Sequence, residues 1–144
     1  MLAVAAHACR GAAKPVRRLA VLIASPWGDE PAMHNDLAAM QDALRRRGFG
    51  PSEIVSLEGN LKRDDVLRFL EAAHERVAGW KSGELFLYFS GHGFYDTEDA
   101  RKARAGLQLT GDLNGSADSR VLWDEVFATL DAPARVRLLL LPDS

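Results

Sequence analysis

The sequence lacks the features on which several protein classes depend. Its single cysteine, Cys9, excludes an internal disulfide framework and a cysteine-rich zinc site. No apolar stretch approaches the ~20 residues that span a bilayer, and the opening residues 1–9 lack the basic region of a signal sequence. Eighteen basic and 20 acidic residues leave a net charge of −2, which argues against a nucleic-acid partner. We therefore expect a cytoplasmic protein that binds neither nucleic acid nor membrane.

The most informative segment covers residues 85–95, where an apolar strand leads into Gly91, His92 and Gly93. Apolar and aromatic residues without polar alternation are typical of a strand covered on both faces, as in a parallel sheet. The two glycines free the backbone beside the imidazole, at the carboxyl end of the strand, where open α/β sheets place their sites. His92 is thus the first candidate for chemistry, and the alternative is a histidine that only caps the strand.

Strands and helices alternate along the rest of the chain. Predicted strands cover residues 19–24, 54–57, 84–89, 106–109 and 136–141, and helical periodicity with stop signals predicts helices over 36–47, 60–77 and 119–130. Asn35 or Asp36, Asn60 and Ser119 are the expected helix caps. This alternation predicts one α/β domain over residues 18–144, a three-layer sandwich with a mainly parallel sheet, after a loose basic lead-in over 1–17.

Three of these features together resemble the caspase-like cysteine peptidases of the C14 family, most closely the p20 region of the metacaspase and orthocaspase branch. They are the strand that leads into His92, a later strand that ends in Asp143 and Ser144, and the Asn35-Asp36 pair at the first long helix. The resemblance implies a flavodoxin-like topology with the strands of residues 84–89 and 136–141 side by side.

In that family the nucleophilic cysteine directly follows the Asp-Ser pair, so we expect it immediately after Ser144. The 144 residues alone are then a fragment without peptidase activity, and further C-terminal strands are missing. The last strand is expected to leave an unpaired edge and uncovered apolar surface, which favours aggregation or a partner chain.

The resemblance also implies an activity and its residues. It implies hydrolysis of peptide bonds by a Cys-His dyad, with His92 as the base and the Gly93 N–H as an oxyanion donor. The pocket for the residue before the cut would be built from Asp36, Ser90 and Asp143. Two carboxylates favour an arginine or lysine side chain, so the expected substrate is a protein or peptide with a basic residue before the cut. Taken singly, the three residues could be a helix cap, a strand-end polar group and a turn residue.

No cofactor is expected, apart from calcium at Asp96, Glu98 and Asp99, where an exposed charged loop is the simpler interpretation. Two other functional classes stay open. One is a non-catalytic caspase-like module that works as a partner or regulator. The other is an unrelated flavodoxin-like binding domain that uses the same edge of the sheet.

Overall fold

The computed structural model describes residues 16–26, 31–96, 104–109 and 116–143. Most of the predicted lead-in, with Cys9, lies outside these ranges. The described strands and helices, in chain order, are β1 (Arg18–Ala24), α1 (Pro31–Arg46), β2 (Ile54–Glu58), α2 (Arg63–Val77), β3 (Gly83–Ser90), β4 (His92–Asp96), β5 (Arg104–Gln108), β6 (Arg120–Leu122), α3 (Trp123–Leu130) and β7 (Val136–Asp143). Short 3-10 helices cover Pro51–Glu53 and Ala117–Ser119.

Four strands form the main sheet, in the order β2-β1-β3-β7, and every pair is parallel. A parallel pair needs a crossover connection, and α1 and α2 supply the crossovers from β1 to β2 and from β2 to β3. The predicted α/β class and mainly parallel sheet are confirmed. Since all four strands run the same way, their carboxyl ends meet at one edge of the sheet.

The helices cover the sheet in three layers because each strand presents alternate residues to opposite faces. One face of β1 packs with α2 and α3, and the other packs with α1. The side of α2 and α3 receives Leu19, Val21, Ile23, Leu85, Leu87 and Phe89, and the side of α1 receives Ala20, Leu22, Ala24 and Tyr88. Continuous apolar runs are needed to cover both faces, which explains why β1 and β3 lack polar alternation.

Helix α2 has the apolar face that its sequence predicts. Val66, Leu70, Ala73 and Val77 are at most 2% exposed. Burial of a valine or leucine side chain contributes about 1.5–3 kcal/mol relative to exposure, so this face rather than helix propensity holds α2 in place.

The predicted helix caps are wrong in each case. Helix α1 begins at Pro31, so Asn35 and Asp36 lie inside it; proline suits a first helical position because its fixed φ fits the helix and its missing N–H is not needed there. At α2 the cap is not Asn60: the Asp65 carboxylate accepts the Lys62 N–H at 2.9 Å. Ser119 ends a 3-10 helix before α3.

A second, antiparallel sheet has the order β4-β5-β6. Strand β4 is not among the predicted strands, and the structure pairs its His92 with Gln108 and its Gly93 with Leu107. Its signal is weak because it is only five residues long and contains glycine. Consequently His92 is the first residue of a strand that belongs to another sheet.

Strand β7 is two residues longer than predicted, because Pro142 and Asp143 continue its pairing opposite Phe89 and Ser90. Proline is tolerated here because β7 has no second partner strand among the described residues. Within the described ranges, no helix has both the length and the apolar character needed to cross a membrane.

Candidate functional site

The carboxyl end of β3 is held on both sides by backbone hydrogen bonds. The Ser25 N–H, just after β1, donates to the Ser90 carbonyl at 3.0 Å. On the other side the Gly91 N–H donates to the Asp143 carbonyl at 3.1 Å, which continues the β3–β7 ladder by one step. The carboxyl end of β7 therefore lies beside Gly91, the residue before His92.

An acidic cluster lies at this edge, on the face of the sheet that α1 covers. Ser90 and Asp143 are direct register partners, and period-2 alternation puts Ser90 on the same face as Tyr88. The Tyr88 hydroxyl donates a hydrogen bond to Asp143 Oδ2 at 3.3 Å. Asp36 lies on α1, whose Leu37 packs in the same cluster as Tyr88, and its charge contributes to raising the pKa of Tyr88.

The pKa of Tyr88 reports this environment. Burial raises it, and the nearby carboxylates of Asp143 and Asp36 raise it further, since a phenolate would be repelled by both. A hydrogen bond with Ser90 acts in the opposite direction but does not outweigh them. The phenol hydroxyl thus has hydrogen bonds with Asp143 and Ser90, and it lies within the field of the Asp36 charge.

The cluster has a buried floor and an exposed charged rim. Ser90 and Tyr88 are 2% and 3% exposed, whereas Asp36 and Asp143 are exposed. Sequence reasoning missed Tyr88. Its signal was its position two residues before Ser90 in a strand buried on both faces, where a hydroxyl must find a partner.

His92 is exposed and borders a different feature, an open cavity of about 470 Å³. Phe89 and Pro142 are register partners that also line it, and Phe89 packs on the side of α2 and α3. The cavity is therefore on the opposite face of the sheet from the acidic cluster. Its lining is mostly apolar and includes His92, Gly93, Phe94, Leu107 and Trp123.

A buried polar network fixes the strand opposite His92. Gln108, the register partner of His92, is 7% exposed. Its amide donates to Ser119 Oγ at 3.1 Å, and its carbonyl oxygen accepts from Arg120 Nε at 3.1 Å. These bonds tie β5 to β6, so the strand that carries His92 pairs with a well-anchored neighbour.

Ser25 joins the small sheet to the main one. It is 2% exposed, and its hydroxyl donates to the Leu109 carbonyl just after β5. The Leu109 N–H in turn donates to the Ser119 carbonyl at 2.8 Å. The end of β1 thus holds both β3 and the sheet that contains His92, which sets their relative position.

The calcium prediction falls outside the described residues, since Glu98, Asp99 and the Asp96 side chain are not described. Among the residues that are, no group of three or more His, Cys, Asp or Glu side chains could hold a metal ion. His34 and Glu58 form an exposed pair, with Nδ1 and Oε1 2.6 Å apart. A pair of this kind supplies too few ligands for a metal site.

The family model of the caspase domain, peptidase C14, matches residues 17–131. The chain belongs to this family. The match covers more than half of the sequence, from β1 through α3, and includes His92, Ser90 and Asp36. A search of curated proteins finds no significant match.

Because the chain belongs to this family, its α/β fold is a caspase-like fold, and its function is expected to resemble that of a cysteine peptidase. The match ends before β7 begins. The position of Asp143 therefore rests on the β3–β7 register and on its hydrogen bond with Tyr88.

Proposed function

We propose that this caspase domain belongs to a cysteine endopeptidase of the metacaspase or orthocaspase branch, which cleaves peptide bonds after arginine or lysine. The observation that carries the proposal is the acidic pocket, which we define as Asp36, Ser90 and Asp143. It is supported by the β3–β7 register, which pairs Ser90 with Asp143, by the hydrogen bond from Tyr88 to Asp143, and by α1, which carries Asp36 and packs on the same face.

The charge of the acidic pocket favours a basic side chain. An arginine or lysine there would form charge-assisted hydrogen bonds with two carboxylates, and these bonds are about twice as strong as neutral ones. An aspartate would meet like charges and be rejected. The exposed rim leaves the carboxylates hydrated until a substrate arrives, so the free protein does not bear the cost of two desolvated charges.

The nucleophile of the proposed reaction is a cysteine directly after Ser144 in the intact protein. Support comes from the Gly91–Asp143 backbone hydrogen bond, because it holds the end of β7 beside the residue that precedes His92. His92 would take the thiol proton, and the thiolate would attack the substrate carbonyl carbon. The Gly93 N–H would stabilise the oxyanion.

The same proton completes the cycle. As the scissile C–N bond breaks, His92 would return the proton to the leaving amine, and the acyl group stays on sulfur as a thioester. Water, deprotonated by His92, would then hydrolyse the thioester and regenerate the thiol. No step of this cycle requires a cofactor. Calcium at the segment around Asp96 remains a prediction.

The test uses the intact protein and fluorogenic peptides that end in Arg, Lys or Asp. We expect cleavage after Arg and Lys and none after Asp, with loss of activity in His92→Ala. Asp143→Asn and Asp36→Asn should each lower kcat/KM for basic substrates by roughly tenfold to a hundredfold, because a hydrogen bond to a charged group is removed. Glu71→Gln, an exposed carboxylate on α2, is the control for charge alone.

Cleavage after Asp, or equal losses of kcat/KM in the pocket variants and in Glu71→Gln, would contradict the proposal.

The second candidate function is that of a non-catalytic caspase-like module that acts through a partner. The exposed leucines of β7, Leu139, Leu140 and Leu141, favour it, since they offer a surface for another chain. That function predicts binding of basic peptides without cleavage, even by the intact protein.

A further inference from the structure

We infer that Tyr88 is a specificity-determining residue that makes the acidic pocket prefer arginine to lysine. The inference rests on the proposed function, because it concerns the same pocket. It adds a residue that the caspase-like motifs in the sequence did not indicate, and it narrows the substrate from basic side chains to guanidinium groups.

The strand geometry places the phenol beneath the pocket. The direct register partner of Tyr88 on β7 is Leu141, and Asp143 lies two residues further on the same face. Such diagonal neighbours are within reach of an aromatic side chain. The hydroxyl bridges this diagonal with its hydrogen bond to Asp143 Oδ2 at 3.3 Å.

The hydrogen bond fixes a carboxylate that is otherwise exposed. Asp143 lies near the end of an edge strand, where its side chain would sample several rotamers in water. Tyr88 itself is 3% exposed and packs in the core beneath α1, so its hydroxyl is a rigid anchor. A fixed carboxylate suits the planar fork of a guanidinium more than it suits a compact ammonium.

The phenol oxygen also offers an acceptor to the ligand. It gives its one hydrogen to Asp143 and accepts a hydrogen bond from Ser90, which leaves it one lone pair for a ligand. An arginine carries five N–H donors and a lysine carries three. The two carboxylates and Ser90 can satisfy an ammonium, whereas a guanidinium has donors left for the floor of the pocket.

The test is a binding measurement on the 144-residue chain. The chain has two tyrosines, and Tyr95 is 67% exposed. With ¹³Cζ-labelled tyrosine, the Tyr95→Phe variant identifies the NMR signal of Tyr88. The probes are Nα-acetyl-arginine methylamide, its lysine analogue and its uncharged citrulline analogue. We expect the arginine probe to shift the Tyr88 signal more than the lysine probe at saturation, and the citrulline probe to leave it in place.

The variants then separate specificity from folding. Tyr88→Phe should lower the affinity for the arginine probe about fivefold, because one hydrogen bond is lost. It should lower the affinity for the lysine probe less than about twofold. Tyr95→Phe should change neither affinity. A thermal unfolding curve for each variant shows whether the fold is kept. If Tyr88→Phe does not fold, the preference for arginine is judged from the shifts that the arginine and lysine probes cause in the unsubstituted chain.

The outcomes distinguish this inference from the proposed function. If the arginine probe binds and Asp143→Asn weakens it, but Tyr88→Phe weakens both probes equally or neither, the role of Tyr88 is wrong and the basic pocket stands. If the unsubstituted chain gives equal shifts with both probes, the preference for arginine is likewise overturned. If neither probe binds the unsubstituted chain, the basic pocket fails together with the role of Tyr88.

Discussion

At the scale of single residues, Gly106 sits where two backbones approach closely. A Cβ on Gly106 would stand 2.1 Å from the carbonyl oxygen of Val121 and 2.9 Å from the Leu122 Cα, both of them backbone atoms of β6. Real Cβ atoms never come so near, so a side chain here must push β6 away from β5. A side chain at this position would therefore disturb the pairing of β5 with β6 in the small sheet that includes His92.

We therefore expect Gly106→Ala to destabilise the protein by roughly 1–3 kcal/mol, the usual cost of overpacking. Gly79→Ala is the matched control, because a Cβ at Gly79 would meet nothing within 4 Å. Urea unfolding of both variants measures the difference. A Gly106→Ala variant as stable as Gly79→Ala would show that β5 and β6 are not packed as described.

The pocket residues show what could be predicted at this scale. Asp36, Ser90 and Asp143 followed from the family resemblance. The structure pairs Ser90 with Asp143 and puts Asp36 on the helix that covers their face, and their role in a substrate pocket stays a prediction. Tyr88 carried only a weak signal, its position two residues before Ser90, because an aromatic residue in a buried strand is usually core material. The β3–β7 register, which brings Asp143 onto its diagonal, identifies the polar partner of its hydroxyl.

At the scale of elements, an ion pair joins α2 to α3. Arg63 donates to Glu125, and Glu125 also accepts the Leu122 N–H at 3.0 Å at the start of α3. Burial alone would raise the pKa of Glu125, but the hydrogen bonds from Leu122 and Arg63, together with the charge of Arg63, outweigh it and lower the pKa. The hydrogen bond with Glu125 raises the pKa of Arg63, which stays charged at any working pH.

The lowered pKa of Glu125 fixes the sign of a pH dependence. Its stabilisation is complete above the ordinary carboxyl pKa and is lost as the pH falls through the lowered value. Glu125→Gln should cost about 1 kcal/mol at neutral pH, because the pair is about one-third exposed, and this cost should vanish in acid.

Urea unfolding at neutral and acidic pH measures the effect of Glu125→Gln. Glu71→Gln on the exposed side of α2 controls for the loss of a negative charge. If the difference between wild type and Glu125→Gln stays the same from neutral to acidic pH, the ionised pair is not its source.

Helices and strands could be predicted where a buried apolar face defines them. Where short-range polar contacts define the start of an element, the sequence was a poorer guide. The face of α2 was confirmed because its four apolar residues repeat at helical spacing. The start of α3 was not, because Ser119 forms other bonds: its hydroxyl donates to the Ser116 carbonyl at 2.9 Å. Strand β4 depends on its pairing with β5, a partner across residues 97–103, which local pattern cannot indicate.

At the scale of the whole molecule, the edge of the main sheet carries an apolar surface. Leu139, Leu140 and Leu141 on β7 are 39%, 37% and 46% exposed. Leu139 and Leu141 pair with Phe86 and Tyr88 and so lie on the α1 side of the sheet. A strand with a free edge and exposed leucines is a template for association.

We expect the 144-residue chain to self-associate increasingly with concentration, and a Leu139→Lys/Leu141→Lys double variant to stay monomeric. Charged residues on an edge strand oppose pairing with another chain. Val16→Lys, at a residue 58% exposed outside the sheet, is the control. Sedimentation velocity distinguishes the outcomes. If the unsubstituted chain stays monomeric at all concentrations, this surface does not mediate self-association.

The order of the four strands was expected only through the family resemblance. Periodicity identifies strands one at a time, but the neighbour of a parallel strand is set by long-range crossovers. The pairing of β3 with β7 confirms the adjacency that the resemblance implied. It also puts Asp143 beside Ser90, on which the proposed substrate pocket depends.

The most direct test of the account is the identity of the residue that follows Ser144 in the intact protein, read from its gene or from the mass of the corresponding peptide. We expect a cysteine, because the Gly91–Asp143 hydrogen bond holds the end of β7 beside the segment that carries His92. Any other residue at that position would contradict the Cys-His dyad and leave a caspase domain that binds without cleaving.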